Sequence, residues 1–275
     1  MNTNPEHSYP RLGPKQQKGS KPRCHLMTSG LPGEVANRLT NLIRIDGITV
    51  REEDCWLPQG FDVIHEAQLG TEGKSVITDE GIRKSLRDWW LSVPSDRANT
   101  PNWDIASTCT INGKKGLLLV EGKAHDSELR NEERGKPLER EDGNGVSMNS
   151  QLNHDQIGEA IERASRILGS ATGLQWALSR DRNYQMSNRF AWSCKLAELG
   201  FPVVLIYLGF LRADEMKRGK QTSFSTHEEW ENAVLAHSSM LFPQSVWGQP
   251  IDAAEACILP LIRSIDQPLT LIATP

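Results

Sequence analysis

DIASTCTINGKKGLLLVEGKAH, residues 104–125, is the stretch on which the fold turns. Asp104 to Ile111 is rich in β-branched side chains, which suit a pleated, half-buried surface, and it predicts a strand. Asn112-Gly113 follows, a pair that tolerates the positive φ angles of a tight hairpin turn. Leu117 to His125 then reads as a second strand, whose continuous apolar run suits the middle of a sheet covered on both faces. Together they predict a β-hairpin.

Working outward, the segment from about 33 to 46 has helical spacing, with Gly47 as its stop. Thr78-Asp79-Glu80 is a capping signature before a helical run that Pro94 ends. Trp89 and Trp90 on that helix read as core before they read as a base-stacking pair. Downstream, residues 126–154 carry charges of both signs with Gly, Asn and Ser, and predict a long surface loop. Asp155 is the expected cap of a helix closing near Gly169, and a further helix is expected over Tyr184–Leu199. Val203 to Leu211 (VVLIYLGFL) predicts a buried strand, 227–241 a helix, and the tail a last strand or a segment packed on the sheet. Helices interleaved with apolar strands call for an α/β architecture, a sheet covered by helices. Residues 50–77 resist assignment.

Residues 1–31 hold Pro10, Gly13, Pro14, Lys15, Lys18, Lys21 and Arg23, the composition of a flexible basic arm. Residues 32–275 are expected to form a single domain. The formal net charge is −4, so contact with a polyanion would depend on a local patch. Five scattered cysteines without a CxxC pair argue against a zinc ribbon or a disulfide framework and suit a reducing compartment. No apolar run reaches membrane-spanning length, and the expectation is a cytoplasmic protein with no membrane partner. Oligomeric state is not legible.

Three Glu-x-Lys tripeptides occur, at Glu72–Lys74, Glu121–Lys123 and Glu215–Lys217. Only the middle one ends an apolar strand. Side chains alternate along a strand, so Leu117, Leu119, Glu121 and Lys123 share one face. Opposite charges beside a buried leucine run are costly unless paired or bound to a metal. A two-residue turn sets Ile111 against Lys114 and Asp104 opposite Glu121, with Cβ atoms roughly 5 Å apart. A four-residue loop would set Asp104 against Lys123 instead. Either register gathers the three residues, and two opposed carboxylates want a cation between them. Hard oxygens suit Mg²⁺ or Mn²⁺, which can polarise a phosphate and activate a water. The bland alternative is a surface ion pair.

Pro101-Asn102-Trp103-Asp104, the turn, and Val120-Glu121-Gly122-Lys123 resemble the motif of the PD-(D/E)XK, or restriction-endonuclease-like, nucleases. The resemblance covers about residues 101–125. It implies a restriction-endonuclease-like core of central mixed sheet flanked by helices. It also implies metal ligation by Asp104, Glu121 and the Gly122 carbonyl, with Lys123 catalytic. The expected activity is metal-dependent hydrolysis of nucleic acid, DNA before RNA; the alternative is an inactive binding or scaffold protein of the same fold. Weaker candidates for substrate contact are His125 and a polar cluster of Arg180, Arg182, Gln185 and Arg189, accompanied by Tyr184 and Asn188. Glu80 or Asp88 is a candidate further carboxylate for the metal.

Overall fold

Asn112 and Gly113 take φ angles of 48° and 81°, and Ile111 pairs with Lys114. The hairpin therefore closes through a two-residue turn of the primed kind, whose twist matches that of its strands. Around it, the computed structural model describes residues 9, 11–95, 98–132, 135, 136, 138, 146–217 and 222–269. In chain order the main elements are α1 (Ser20–Met27), α2 (Pro32–Ile43), β1 (Ile48–Thr49), β2 (Trp56–Leu57), α3 (Glu80–Trp90), β3 (Ile105–Ile111) and β4 (Lys114–Lys123). They continue with α4 (Asp126–Glu132), α5 (Met148–Thr172), α6 (Tyr184–Glu198), β5 (Val203–Leu211), α7 (His227–Ser238), β6 (Ile251–Ala253) and β7 (Ala256–Asp266).

Among the described residues the sheet has seven strands, in the order β1-β3-β4-β5-β7-β6, with β2 also on β3. β4, β5 and β7 run parallel; β3 is antiparallel to β4, and β6 to β7. Parallel neighbours need a crossover, which α4–α6 supply between β4 and β5 and α7 supplies between β5 and β7. The protein is thus a mixed α/β fold with a mixed sheet flanked by helices.

Alternation along β4 decides what each face touches. Leu117 and Leu119 join a core with Ile157 and Ile161 of α5 and Phe190 of α6. Leu118 and Val120 join the opposite core, with Leu39 and Ile43 of α2. The apolar run of β4 is continuous because both of its faces are covered. Trp90 is buried, and its indole meets those of Trp89 and Trp192 at 5.2 Å and 5.6 Å between centroids. The tryptophan pair is core, as expected.

Three expectations need correction. The arm expected over residues 1–31 is not loose over its second half: α1 is packed, with Cys24 and Met27 each 2% exposed. Arg23 of α1 bonds Glu215 at 2.5 Å and the Gln267 carbonyl at 2.9 Å. Lys21 and Arg23 are spent on the fold; residues 1–8 and 10 lie outside the described residues. The loop expected over 126–154 contains α4 and the first turns of α5, while 133, 134, 137 and 139–145 lie outside the described residues. Asp155 does not cap α5, because the helix starts two turns earlier, where the Ser147 hydroxyl accepts the Ser150 N–H. Polar residues at 148–155 suit an exposed helical turn as well as a loop, which is why composition misled there. No helix among the described residues is long and apolar enough to cross a membrane.

Met27→Ala distinguishes a packed helix from a loose arm. It should lower unfolding free energy by about 2–5 kcal/mol, read by chemical denaturation, whereas a loose arm would register no change.

Candidate active site

Glu121 lies near the end of β4, 1% exposed, on the face occupied by Leu117 and Leu119. A buried carboxylate must be matched by donors or it does not stay ionised. Here it is matched by three side chains. Lys123 Nζ donates to Oε1 at 2.5 Å, Gln185 Nε2 donates to the same oxygen, and Arg189 Nε donates to Oε2 at 2.7 Å. Lys123 is itself 5% exposed. Gln185 and Arg189 are four residues apart on α6, which places both on one face of the helix. α6 is aimed at the strand by its start: Asn183 is in the left-handed region (φ 45°) and its amide donates to the His237 carbonyl at 2.7 Å.

Arg189 does more than neutralise. Its guanidinium lies 4.4 Å from the centroid of the buried Trp103 ring, donates to the Asn102 carbonyl at 2.6 Å and to Asn188 Oδ1 at 2.9 Å. It ties α6 to the segment that leads into β3. Lysine could not reproduce this planar set of bonds.

Asp104 stands one step before β3, and the register that sets Ile105 against Val120 carries it to the level of Glu121. The two-residue turn therefore decides between the two registers read from the sequence. Asp104 Oδ2 accepts the Gly122 N–H at 2.8 Å. Gly122 is cramped on its other side, since a Cβ there would lie 3.0 Å from the Phe210 ring and 3.1 Å from Cys24 Sγ. A side chain at 122 would push against α1 and β5 together.

The two carboxylates are held in opposite senses. Burial would raise the pKa of Glu121, but Arg189 and then Lys123 overcome it and hold the group below its ordinary value. Asp104 keeps part of its surface in solvent, yet burial first and the charge of Glu121 second push it well above the ordinary carboxylate range. Glu66 adds to that push; its own partner is Lys21 of α1, at 2.7 Å. The Cys24 thiol is pushed up by burial and by Asp104, which keeps it protonated. Acidic charge is thus gathered around Asp104 by Glu121 of β4 and Glu66 of the irregular 50–77 region.

The other sequence candidates divide. Gln185 and Arg189 join the site, although no spacing along the chain linked them to Glu121. Arg180 does not: it serves the fold, bonding the His154 carbonyl at 3.0 Å beside Asp155. Arg182 is exposed, and no contact ties it to the carboxylates. His125 is buried just past β4, with Nδ1 2.6 Å from Ser127 Oγ and Nε2 3.6 Å from Glu128, so its ring is turned to α4. Glu80 is exposed at the start of α3, and Asp88 is bound to Lys84 on the same helix; neither is the further carboxylate. Glu66, for which the sequence offered no signal because its segment has no periodicity, is the acidic residue whose charge reaches Asp104. Among the described residues no group of three or more His, Cys, Asp or Glu is set to hold a metal ion. Of the two carboxylates expected to hold an ion, Glu121 has both oxygens engaged and Asp104 keeps part of its surface in solvent.

Fold and site together define a mixed α/β protein with a buried carboxylate–cation centre at the C-terminal end of a central strand. No family model, curated protein or solved structure matches this chain.

Asp104→Asn keeps the shape and an acceptor for Gly122 while removing the strained charge. A carboxyl whose folded pKa is raised contributes stability at low pH that is lost as pH rises through the folded pKa. In chelator-treated protein the substitution should therefore raise the melting temperature at pH 7 and give no gain near pH 4, measured by calorimetry at both. Arg189→Met should act oppositely, costing about 3–5 kcal/mol by stranding a buried carboxylate, a loss that Arg189→Lys does not fully restore.

Proposed function

We propose that the chain is a divalent-cation-dependent phosphodiesterase acting on nucleic acid, DNA before RNA, on a restriction-endonuclease-like core. The observation that carries this reading is the strand register that sets Asp104 level with Glu121 at the end of β4. The Asp104 carboxyl is driven upward by burial and by the neighbouring charge of Glu121, the condition of paired anions that a cation would relieve.

Asp104, Glu121 and the Gly122 carbonyl would hold Mg²⁺ or Mn²⁺, an ion content with two carboxylates, waters and a substrate phosphate. When bound, such an ion polarises the scissile phosphate and lowers the pKa of a ligated water. Glu121 has both oxygens engaged, so ligation requires one donor to withdraw. Lys123 would be the donor to give way, because the ion would bring Oε1 the positive charge that the ammonium now supplies. Its ammonium then meets the phosphate or orients the attacking water. Arg189 keeps Glu121 charged and aimed throughout, through Oε2. Lys123 is a catalytic residue in this scheme; Gln185 and Arg189 are positioning residues.

A second reading, a binding module of the same fold without activity, is favoured by one observation. Glu121 is already satisfied by Lys123, Gln185 and Arg189, a network complete without an ion. Metal binding separates the two.

With Mg²⁺ or Mn²⁺ the purified protein should nick or degrade nucleic acid, and Asp104→Ala, Glu121→Ala and Lys123→Ala should each slow it by roughly 10²–10⁴-fold. Gel assays across single- and double-stranded DNA and RNA read the activity, and calorimetric Mn²⁺ titration reads the ion. Activity persisting in all three variants, or no binding of the ion by the wild-type protein, would end the assignment.

A further inference from the structure

Beside the carboxylates opens a cleft of about 370 Å³, within the size of small-molecule sites, roughly 300–1,000 Å³. Tyr184 supplies ring surface to its walls, backed by the buried Trp90, and Asn99, Thr100, Asn102 and Asn188 supply polar groups. Arg189 is the one cation among the described residues lining it. That guanidinium is already committed, to Glu121, to Asn188 Oδ1 and to the Asn102 carbonyl. A phosphate entering the cleft would meet no uncommitted positive charge from its walls. A neutral ligand with a mixed edge would meet Asn99, which presents a donor and an acceptor, and the NH₂ group of Asn102, whose oxygen is taken by Gln68.

Thr100 points the same way independently. It is 3% exposed, yet its hydroxyl makes no hydrogen bond. Its methyl is turned toward Gly70, where an added Cβ would come within 2.9 Å. A buried hydroxyl without a partner is an exception that calls for a ligand or a cost elsewhere. Asn102 is held in place: Gln68 Nε2 donates to its Oδ1 at 2.6 Å, which fixes the amide and leaves its NH₂ group as the end not bound to Gln68.

We infer that this cleft receives an unpaired nucleobase of the substrate strand, so that the enzyme acts on single-stranded or frayed nucleic acid rather than on closed duplex. The inference rests on the phosphodiesterase reading and adds its substrate class. Carboxamides read base edges and aromatic rings accept base faces. A base within a duplex is stacked and paired, and reaches such a pocket only after leaving the helix. Arg189 spans from the cleft wall to Glu121, so a base seated here brings the adjoining backbone phosphate toward the carboxylates. The acidic net charge of the chain agrees with recognition through bases more than through phosphates.

The test is fluorescence anisotropy of the full chain in chelator, where binding is read without cleavage. Three probes are used: a short mixed-sequence single strand, an abasic deoxyribose-phosphate strand of equal length, and a blunt duplex. The base-bearing strand should bind about tenfold tighter than either of the others, the scale of one stacked base. Thr100→Val and Asn99→Ala, which leave the melting temperature unchanged, should each bring the base-bearing strand close to the abasic one. Equal affinity for base-bearing and abasic strands, a preference that survives both variants, or no binding of any strand overturns the inference. Cleavage in Mg²⁺ is scored separately. Base-dependent binding without cleavage keeps the cleft and ends the hydrolytic reading, whereas cleavage with base-independent binding ends the cleft alone.

Discussion

A single carboxylate, that of Glu121, is taken out of water at the heart of this protein, and much of the surrounding structure answers to that fact. Removing such a group from solvent costs about several kcal/mol even after relaxation. The cost is offset only where donors arrive from fixed directions. Lys123 comes from the same strand face, Gln185 and Arg189 from α6. α6 can deliver them because it is itself buried, with Phe190 and Trp192 fully enclosed, and so has little freedom to turn. Arg189 then passes the constraint onward to Asn102 and Trp103, immediately before β3. One anion thereby locks a helix, a strand and the lead into a second strand.

Asp104 shows the opposite balance. Its neighbours are mostly acidic, and its one backbone donor, Gly122, does not compensate for them. Glu121 is an anion that the fold has satisfied; Asp104 is one that it has not. Such a difference between adjacent carboxyls is how proteins assign them different chemical tasks. It also explains why α1 matters. Its Cys24 closes over Gly122 and its Lys21 engages Glu66, so the N-terminal helix forms the far wall of the centre rather than an appendage.

The site's location follows from topology. β4 and β5 run parallel, and their C-terminal ends face one way, where the chain must leave the sheet for its crossover helices. Side chains there emerge beside helix starts and loops instead of against a facing strand. That is where open α/β sheets hold ligands. The cleft that adjoins the carboxylates lies between α3, the 99–102 segment and the start of α6, in line with that rule.

The hairpin was legible from residues alone because its signals are local. Alternation set Glu121 and Lys123 on one face, and Asn112-Gly113 marked the turn, so either register gathered Asp104 with them; the observed pairing of Ile111 with Lys114 chose the one level with Glu121. The strand at 203–211 was equally plain, since nine consecutive apolar residues fit little else. The long loop assumed over 126–154 failed because polar composition does not separate an exposed helix from a loop. The loose arm assumed over 1–31 failed because a basic, proline-bearing segment gives no sign that Arg23 will find Glu215 or that Cys24 will find Gly122. Only the tertiary structure chose Gln185 and Arg189 over Arg180 and Arg182, and brought the charge of Glu66 to bear on Asp104. Those choices depend on how α6 and the irregular 50–77 region pack on the sheet. Packing is set by contacts between residues far apart in the chain, which no spacing along it records.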